Sequence, residues 1–236
     1  MTGKVYLIPT VLSDEENALK SLPSYIVDAI KQCQVFFVEN EKTARRFFKK
    51  LWKEMVIDDY TWYTIHKAEE EVKNSFIHHL KAGKTIGIVS EAGCPGVADP
   101  GQILIEAAQQ IQATVYPLVG PSSILLGLMA SGMNGQCFQF TGYLPIDSTA
   151  RKKAIKELET DSQKRNCTQI FIETPYRNNQ LISDVLSTCK NETRFCIAVD
   201  ITASNERIVT KTIADWKKST APEIHKRAAI FLLFAS

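Results

Sequence analysis

The chain has 236 residues, of which 44% are apolar and 23% charged, and its formal net charge is +2. This composition is ordinary for a globular protein and excludes the class of disordered chains with low hydrophobicity and high net charge. The longest apolar stretches, 123–131 and 228–235, are much shorter than the roughly 20 residues that span a bilayer, so we expect no membrane segment.

The six cysteines show no pattern typical of a metal site. No two have C-x-x-C spacing and no histidine pattern accompanies them, so we expect no bound metal. The first residues lead directly into an apolar, strand-like segment, which differs from a secretory signal. We therefore expect a soluble cytoplasmic protein whose cysteines are reduced and mostly buried.

Short apolar runs alternate with helical patterns along the first half of the chain. Strands are predicted at 5–8, 35–38, 61–65, 85–89 and 114–118. Helices are predicted after Pro23 and at 41–53, 69–82 and 101–111. Strands that lack polar alternation are typical of a sheet covered on both faces. This order predicts an α/β domain with a mostly parallel sheet between two layers of helices.

The pattern changes in the second half. Helices are predicted at 122–131, 149–158 and 177–190, and strands at 138–143, 169–172, 194–199, 207–212 and 229–234. The late strands follow one another closely, which favours hairpin-like pairs and a mixed sheet. Proline and glycine punctuate 117–121, so we predict an N-terminal α/β domain over 1–119 and a C-terminal α/β domain over 120–236.

The segment 90–101, S-E-A-G-C-P-G-V-A-D-P-G, carries the strongest local signal. It joins a predicted buried strand to a helix, and ligands of open α/β sheets bind at the carboxyl ends of the strands. Three glycines and two prolines make a backbone that a ligand can approach closely. Carboxylates at Glu91 and Asp99 suit ligand amines or hydroxyls, but Asp99 equally suits a helix cap. The local pattern favours neither a binding loop nor a structural loop.

Four motifs in order resemble those of the tetrapyrrole-methylase superfamily. Segment 90–101 resembles S-D-A-G-T-P-x-x-x-D-P-G, and 117–123, P-L-V-G-P-S-S, resembles P-x-x-G-P-[SC]-[SA]. Segment 138–145, F-Q-F-T-G-Y-L-P, resembles F-x-x-x-G-[FY]-L-P, and 173–177, E-T-P-Y-R, resembles E-[ST]-[PT]-[HY]-R. The resemblance covers nearly the whole chain and is closest to the branch that 2′-O-methylates a ribose in small-subunit ribosomal RNA.

This resemblance implies a homodimer in which each chain binds S-adenosylmethionine in a cleft between its two domains. It assigns six residues to the cofactor site: Glu91, Gly93, Cys94, Ser122, Ser123 and Thr141. The first three are expected on the methionine side. The serines are expected at a helix N-terminus, where free backbone N–H groups meet polar ligand atoms, and helix capping is their alternative role.

Basic residues cluster on the predicted helix 41–53. Lys42, Arg45, Arg46, Lys49 and Lys53 recur at three- and four-residue spacing and share one broad face. Such a face suits contacts with phosphates, although most charge runs are simply solvated. The resemblance favours RNA contact by Lys42, Arg45 and Arg46, and by Arg151 in a second basic cluster.

The candidate catalytic residues are those that could activate a ribose hydroxyl for attack on the methyl group. This hydroxyl is a poor nucleophile that benefits from a base or a nearby positive charge, whereas the activated methyl group comes with the cofactor. Glu173, Asp200 and Asp14 are candidate bases, and Arg177 is the candidate electrostatic partner. His66 is a further candidate for contact with substrate, although most lone histidines have other roles.

Three segments depart from the ribosomal-RNA branch. The chain has P-T-V-L-S-D at 9–14 in place of T-P-I-G-N, V-D-I-T-A at 199–203 in place of R-E-L-T-K, and K-R-A at 226–228 in place of K-G-E. Because these segments are expected near the substrate, three functions stay open. They are an RNA ribose methyltransferase, a methyltransferase acting on a tetrapyrrole or other small molecule, and a non-catalytic RNA- or ribosome-binding relative.

Overall fold

The structure, a computed structural model, describes residues 2–65, 69–219 and 222–235. The chain divides into two compact units, Met1–Ser122 and Ser123–Ser236, and each contains one five-stranded sheet. His66 lies outside the described residues. Within the described ranges, no helix combines the length and apolar character that crossing a membrane requires.

The first unit alternates strands and helices in the predicted order. Its strands are β1 (Lys4–Ile8), β2 (Val35–Val38), β3 (Thr61–Thr64), β4 (Ile86–Val89) and β5 (Thr114–Pro117). Its helices are α1 (Ile26–Gln32), α2 (Glu41–Leu51), α3 (Glu69–Lys81) and α4 (Gln102–Gln110), with 3₁₀ turns at Glu16–Ser21 and Ile57–Asp59. The strands lie in the order β3-β2-β4-β1-β5 and pair in parallel, which confirms the predicted mostly parallel sheet.

Helices cover both faces of this sheet because successive strand residues point to opposite sides. Helices α1 and α2 place Ile30 and Phe48 around Phe36, whereas α3 and α4 pack around Phe37. Strand β1 therefore leads to a helix on one face, and its neighbour β4 leads to a helix on the other. The two connections diverge, which leaves a crevice at the carboxyl ends of β1 and β4.

The second unit contains the predicted mixed sheet. Its strands are β6 (Phe138–Tyr143), β7 (Thr168–Ile172), β8 (Arg194–Val199), β9 (Arg207–Thr212) and β10 (Ala229–Phe234). Its helices are α5 (Ser123–Ser131), α6 (Ser148–Arg165), α7 (Asn178–Thr188) and α8 (Ile213–Lys218). The strand order is β6-β7-β10-β8-β9. Strands β6 and β7 pair in parallel, and the other neighbours pair antiparallel.

Two helices of the second unit differ from the prediction. The helix predicted over 149–158 continues because its later turns bury polar groups, and the Glu159 carboxylate accepts a hydrogen bond from the backbone N–H of Lys190 at 2.7 Å. Hydrophobic periodicity does not detect such turns. The short helix α8 was not predicted. It buries Trp216, whose indole N–H donates to the carbonyl of Phe195 at 2.8 Å.

The core of the second unit lies between the mixed sheet and helices α6, α7 and α8. Helix α5 packs on the opposite face of the sheet, where Gly127 meets β10. A Cβ atom at Gly127 would lie 3.2 Å from Cγ2 of Ile230 and 3.5 Å from Cδ1 of Leu232. The close approach of α5 to the sheet thus depends on a residue without a side chain.

Candidate functional site

A cavity of about 280 Å³ opens at the crevice between the ends of β1 and β4. It is lined by the loop after β1 (10–14), the loop after β4 (90–92), and Thr43, Ala44 and Phe47 of α2. Small-molecule sites typically measure about 300–1,000 Å³, so this cavity has room for part of a nucleoside-sized ligand.

Hydrogen bonds hold the two loops together below the cavity. The backbone N–H of Thr10 donates to the carbonyl of Gly93 at 2.9 Å, and the Thr10 hydroxyl donates to the carbonyl of Ser90 at 3.3 Å. The Ser90 hydroxyl in turn donates to the carbonyl of Gly93 at 3.3 Å. The loop after β4 is therefore anchored to the end of β1 before any ligand binds.

Two of the recognised motifs meet at Gly93. This residue has φ +76°, and a Cβ there would lie 3.2 Å from the carbonyl oxygen of Pro121 and 3.3 Å from Cδ2 of Leu12. The thiol of the next residue, Cys94, lies 3.6 Å from the same Pro121 oxygen. Burial, with a smaller effect of Asp99, raises the pKa of the Cys94 thiol. Cys94 is thus a neutral packing group and not a thiolate nucleophile.

The two carboxylates of this loop have different surroundings. Asp99 accepts hydrogen bonds from the backbone N–H groups of Gly96 and Gly101, each at 2.8 Å. Burial raises the pKa of Asp99, although these two bonds act to lower it. Asp99 thus stabilises the turn that starts α4. Glu91 is exposed, lines the cavity and accepts a hydrogen bond from the Thr43 hydroxyl.

The other candidate cofactor residues lie elsewhere in the chain. Ser122 ends the first unit and Ser123 begins α5. Thr141 lies in β6, where the pairing with β7 shifts its register between residues 140 and 142. Its hydroxyl donates to the carbonyl of Ile170 at 3.0 Å, so this group already has a partner in the sheet. A role for these three residues in binding the cofactor stays a prediction.

Contacts divide the predicted basic face of α2 into two groups. Arg45 pairs with Glu41 on the preceding turn, and its guanidinium lies 5.3 Å from the ring centre of Trp62. The ammonium of Lys49 donates to the carbonyl of Met55 at 2.9 Å. Arg45 and Lys49 are therefore held by the protein itself, which makes them weaker candidates for RNA contact.

The other three residues of the predicted face, Lys42, Arg46 and Lys53, are exposed. Together with Lys50, an exposed lysine that was not assigned to that face, they form a row that we name the basic stripe. Lys42, Arg46 and Lys50 follow one another at four-residue spacing, so they lie on one side of α2. Lys53 lies two residues beyond the end of α2, which the sequence predicted to continue to residue 53.

Three residues of the basic stripe line a second cavity of about 400 Å³, together with Asp14 and Glu16. Both cavities include Thr43 and Phe47 in their walls, so the stripe borders the first cavity.

The candidate catalytic residues of the second unit lie at one edge of its sheet. Glu173 follows β7 and Asp200 follows β8, on either side of the start of β10. Strand β10 pairs there with both neighbours, since Ile230 lies opposite Ile172 and Ala229 lies opposite Val199. The mixed sheet thus brings together residues that are distant in sequence.

Glu173 forms a buried ion pair with Arg177. One carboxylate oxygen accepts from the Arg177 guanidinium at 2.6 and 3.0 Å and from the backbone N–H of Thr174 at 2.6 Å. Burial raises the pKa of Glu173, but Arg177 and the Thr174 N–H outweigh burial and lower it. The other oxygen has no hydrogen-bond partner among the described residues. A carboxylate with a lowered pKa is a weak base, so this geometry favours a positioning role.

Asp200 is also paired. Its Oδ2 lies 2.7 Å from Nη2 of Arg227 and accepts from the Asn205 amide at 2.9 Å. Asp200 and Thr202 both have positive φ, at +49° and +71°, so the contacts hold a strained loop. The ion pair joins the departing segments 199–203 and 226–228, which the sequence alone presents as two separate changes.

Arg151 is an internal residue and offers no surface for RNA. Its side chain is 0% exposed, pairs with Asp184 at 2.5 Å and donates to the carbonyl of Ile146 at 2.8 Å. A guanidinium enclosed in this way presents no donor to a phosphate, which removes Arg151 from the candidate RNA contacts. The other members of that cluster, Lys152 and Lys153, are exposed.

Several cavity residues were not selected from the sequence. The first cavity is lined by Thr10, Thr43 and Phe47. None of these residues carries a charge or belongs to a catalytic pattern. Their position after β1 and on α2 could have identified them, because ligands bind to the loops at the carboxyl ends of parallel strands.

Residues 19–217 match the family model of the Tetrapyrrole (Corrin/Porphyrin) Methylases. The chain belongs to the tetrapyrrole methylase family. Among its curated relatives, the Ribosomal RNA small subunit methyltransferase I of Vibrio cholerae is 29% identical over 89% of this chain and 69% of its own length. The protein of the same name from Buchnera aphidicola is 25% identical over 98% of this chain and 78% of its own.

Solved structures of tetrapyrrole methylases agree with this fold. The methyltransferase CobJ superposes with a TM-score of 0.63 at 14% identity, covering 100% of this chain and 95% of CobJ. Uroporphyrin-III C-methyltransferase from Thermus thermophilus, complexed with S-adenosylhomocysteine, superposes with a TM-score of 0.52 at 14% identity. The superposition covers 98% of this chain and 97% of that methyltransferase. Such identities show the fold alone. The family match makes this chain an S-adenosylmethionine-dependent methyltransferase.

Proposed function

We propose that this tetrapyrrole methylase transfers a methyl group from S-adenosylmethionine to a ribose 2′-hydroxyl of small-subunit ribosomal RNA. The basic stripe beside the two cavities carries the proposal. From Lys42 to Lys50, within α2, the stripe extends about 12 Å at the helical rise per residue, and Lys53 follows beyond the end of the helix. That length suits several phosphates of a nucleic-acid backbone better than one small molecule. The relatives named Ribosomal RNA small subunit methyltransferase I support the same acceptor.

The first cavity, at the ends of β1 and β4, fits the polar part of the cofactor. Glu91 lines it as an exposed carboxylate and suits an ammonium or a ribose hydroxyl. Gly93 and Cys94 follow the cavity-lining residues 90–92 in the same loop and pack closely against Pro121. S-adenosylmethionine supplies an activated methyl group when it is bound. These residues would hold and orient it, with Ser122, Ser123 and Thr141 as further candidates.

Among the candidate bases, Asp14 has the most suitable surroundings. It is exposed, lines both cavities and has no ion pair among the described residues. Glu173 and Asp200 are each bound by an arginine. We therefore assign acceptance of the hydroxyl proton to Asp14. In the second unit, Glu173 fixes the guanidinium of Arg177, and electrostatic support by Arg177 stays a prediction.

The test compares two matched triple variants. Arg46→Gln, Lys50→Gln and Lys53→Gln together remove three charges from the basic stripe. The control removes three charges from the exposed side of α6 away from the second basic cluster, through Lys156→Gln, Lys164→Gln and Arg165→Gln. Each variant is titrated with small-subunit ribosomal RNA at several salt concentrations and with S-adenosylmethionine by calorimetry.

We expect the stripe variant alone to bind RNA more weakly, with a log-affinity against log-salt slope reduced by roughly 2 to 3. Affinity for S-adenosylmethionine stays unchanged in both. Transfer of a labelled methyl group is then measured on ribosomal RNA from a strain lacking this protein. If the wild type binds the cofactor but neither binds nor methylates that RNA, the RNA acceptor is wrong and a small-molecule acceptor takes its place.

A further inference from the structure

An exposed tyrosine lies beside a lysine and a histidine at the edge of the second sheet. Tyr176 is 69% exposed, although aromatic side chains are usually buried to a large extent. The ammonium of Lys226 lies 5.8 Å from its ring centre, and the ring of His225 meets it edge-on at 5.7 Å. Most of the tyrosine ring thus faces solvent while one side is bordered by positive charge.

The backbone around Tyr176 is firmly held. The N–H of Lys226 donates to the carbonyl of Pro175 at 3.0 Å. The buried amide of Asn178 donates to the carbonyl of Arg227 at 2.8 Å. These bonds attach the segment before β10 to the start of α7. They hold the backbone of Tyr176 and the backbone of Lys226 next to each other.

A second exposed aromatic lies at the same sheet edge. Tyr143 is 62% exposed and ends β6 opposite Ile172, the last residue of β7. Arg177, five residues after the end of β7, is held at this edge by its ion pair with Glu173. Exposed rings alternating with cationic side chains are what single-stranded nucleic acid requires, because bases stack on rings and phosphates bind cations.

We propose that Tyr176 and Lys226 form a stacking platform for one unpaired base of an RNA substrate, the ring contacting the base and the ammonium the adjoining phosphate. The inference rests on the proposed RNA function and adds a contact made by the second unit. An RNA strand suits this site better than a protein partner, because an ammonium borders the exposed ring while a second exposed ring and a guanidinium lie at the same sheet edge.

The test uses two probes of equal charge. One is a fluorescently labelled single-stranded oligoadenylate, and the other is an abasic oligonucleotide with the same number of phosphates. Binding of each is followed by anisotropy for the wild type, Tyr176→Ala, Tyr176→Phe, Tyr176→Trp and Lys226→Gln. Tyr116→Ala, at an exposed tyrosine of β5, serves as the matched control.

We expect Tyr176→Ala to weaken oligoadenylate binding by roughly 5-fold or more and to leave abasic binding unchanged. Tyr176→Phe and Tyr176→Trp restore stacking, and the tryptophan variant also gains a fluorescence signal quenched by the oligoadenylate. Lys226→Gln weakens both probes and lowers the salt slope by about 0.7. Tyr116→Ala behaves as wild type.

The outcomes separate this inference from the proposed function. If the wild type binds and methylates RNA but Tyr176→Ala binds oligoadenylate equally well, the platform is wrong and the proposed function stands. If the wild type binds no RNA, both the stacking platform and the proposed RNA function are wrong. If Tyr176→Ala instead changes the sedimentation of the protein, the surface is a contact between protein chains and the platform is overturned.

Discussion

The two units differ in whether the carboxylates that follow their strands are bound by an arginine. In the first unit, Glu91 follows β4 and remains exposed at a cavity. In the second unit, Glu173 after β7 and Asp200 after β8 are each bound by an arginine. The pKa of Glu173 is lowered, which makes it a weak base, and both arginine pairs anchor the chain at this edge. Carboxylates after strand ends therefore serve different purposes in the two units.

Sheet topology accounts for this difference. In the parallel sheet, the connections after β1 and β4 diverge to opposite faces and leave space between them. In the mixed sheet, β10 runs antiparallel between β7 and β8. The residues before β10 therefore arrive at the edge where β7 and β8 end, and Arg227 among them is the partner of Asp200. Glu173 takes its partner, Arg177, from the turn that follows β7.

The largest expected effect tests the buried charges of the second unit. Arg151→Met leaves the buried Asp184 carboxylate without its principal partner. We expect the free energy of unfolding to fall by about 3–5 kcal/mol, as measured by urea denaturation. Adding Asp184→Asn removes the unpaired charge and recovers part of the loss.

Lys152→Met is the matched control for this prediction. Lys152 contacts the same carboxylate at 3.5 Å but is 46% exposed. Exposed pairs contribute about 0–1 kcal/mol, so the control should change stability little. Equal losses for Arg151→Met and Lys152→Met would contradict the assignment of Arg151 as a structural residue.

An intermediate effect tests the close backbone packing of the first unit. A Cβ at Gly120 would lie 2.1 Å from Cβ of Pro9. Gly120→Ala should destabilise the protein by about 1–3 kcal/mol through overpacking. It should also weaken S-adenosylmethionine binding, because Pro121 packs against the loop at Gly93.

Gly135→Ala is the matched control, since no atom lies within 4 Å of a Cβ at that position. We expect its stability to stay within about 0.5 kcal/mol of the wild type. Calorimetric titrations in which both alanine variants bind the cofactor as tightly as the wild type would show that the cavity does not depend on this packing.

The smallest effect is a pH dependence of the second unit. The pKa of Glu173 is lowered in the folded protein from an ordinary value of 4.5. Its ionised form therefore stabilises the fold above that pH, and the contribution is lost as pH falls through the lowered pKa. Glu173→Gln should make acid destabilisation shallower below pH 4.5, measured by urea unfolding at a series of pH values.

Glu157→Gln, at an exposed position of α6, is the control for that profile. It should retain the acid dependence of the wild type. A Glu173→Gln profile identical to both would mean that the Glu173–Arg177 pair does not stabilise the folded state relative to the unfolded chain.

Most elements could be predicted because their apolar runs are uninterrupted and bounded by turns. The predicted strands 35–38, 138–143, 194–199, 207–212 and 229–234 have the observed bounds. The end of α6 was missed because Glu159 is buried through a partner from outside the helix. The cavity walls at Thr10 and Thr43 were missed because neither residue has a distinctive chemical character.

The order of strands and helices, the parallel sheet, the loop at 90–101 and the family resemblance follow from the sequence alone, because local patterns encode them. Only the tertiary structure decided which charges are available. Arg151 is buried while Lys152 is exposed, and Arg45 is paired while Arg46 lines a cavity. These neighbours differ because a helix turns them toward different surroundings, and the partners that bind them come from distant parts of the chain.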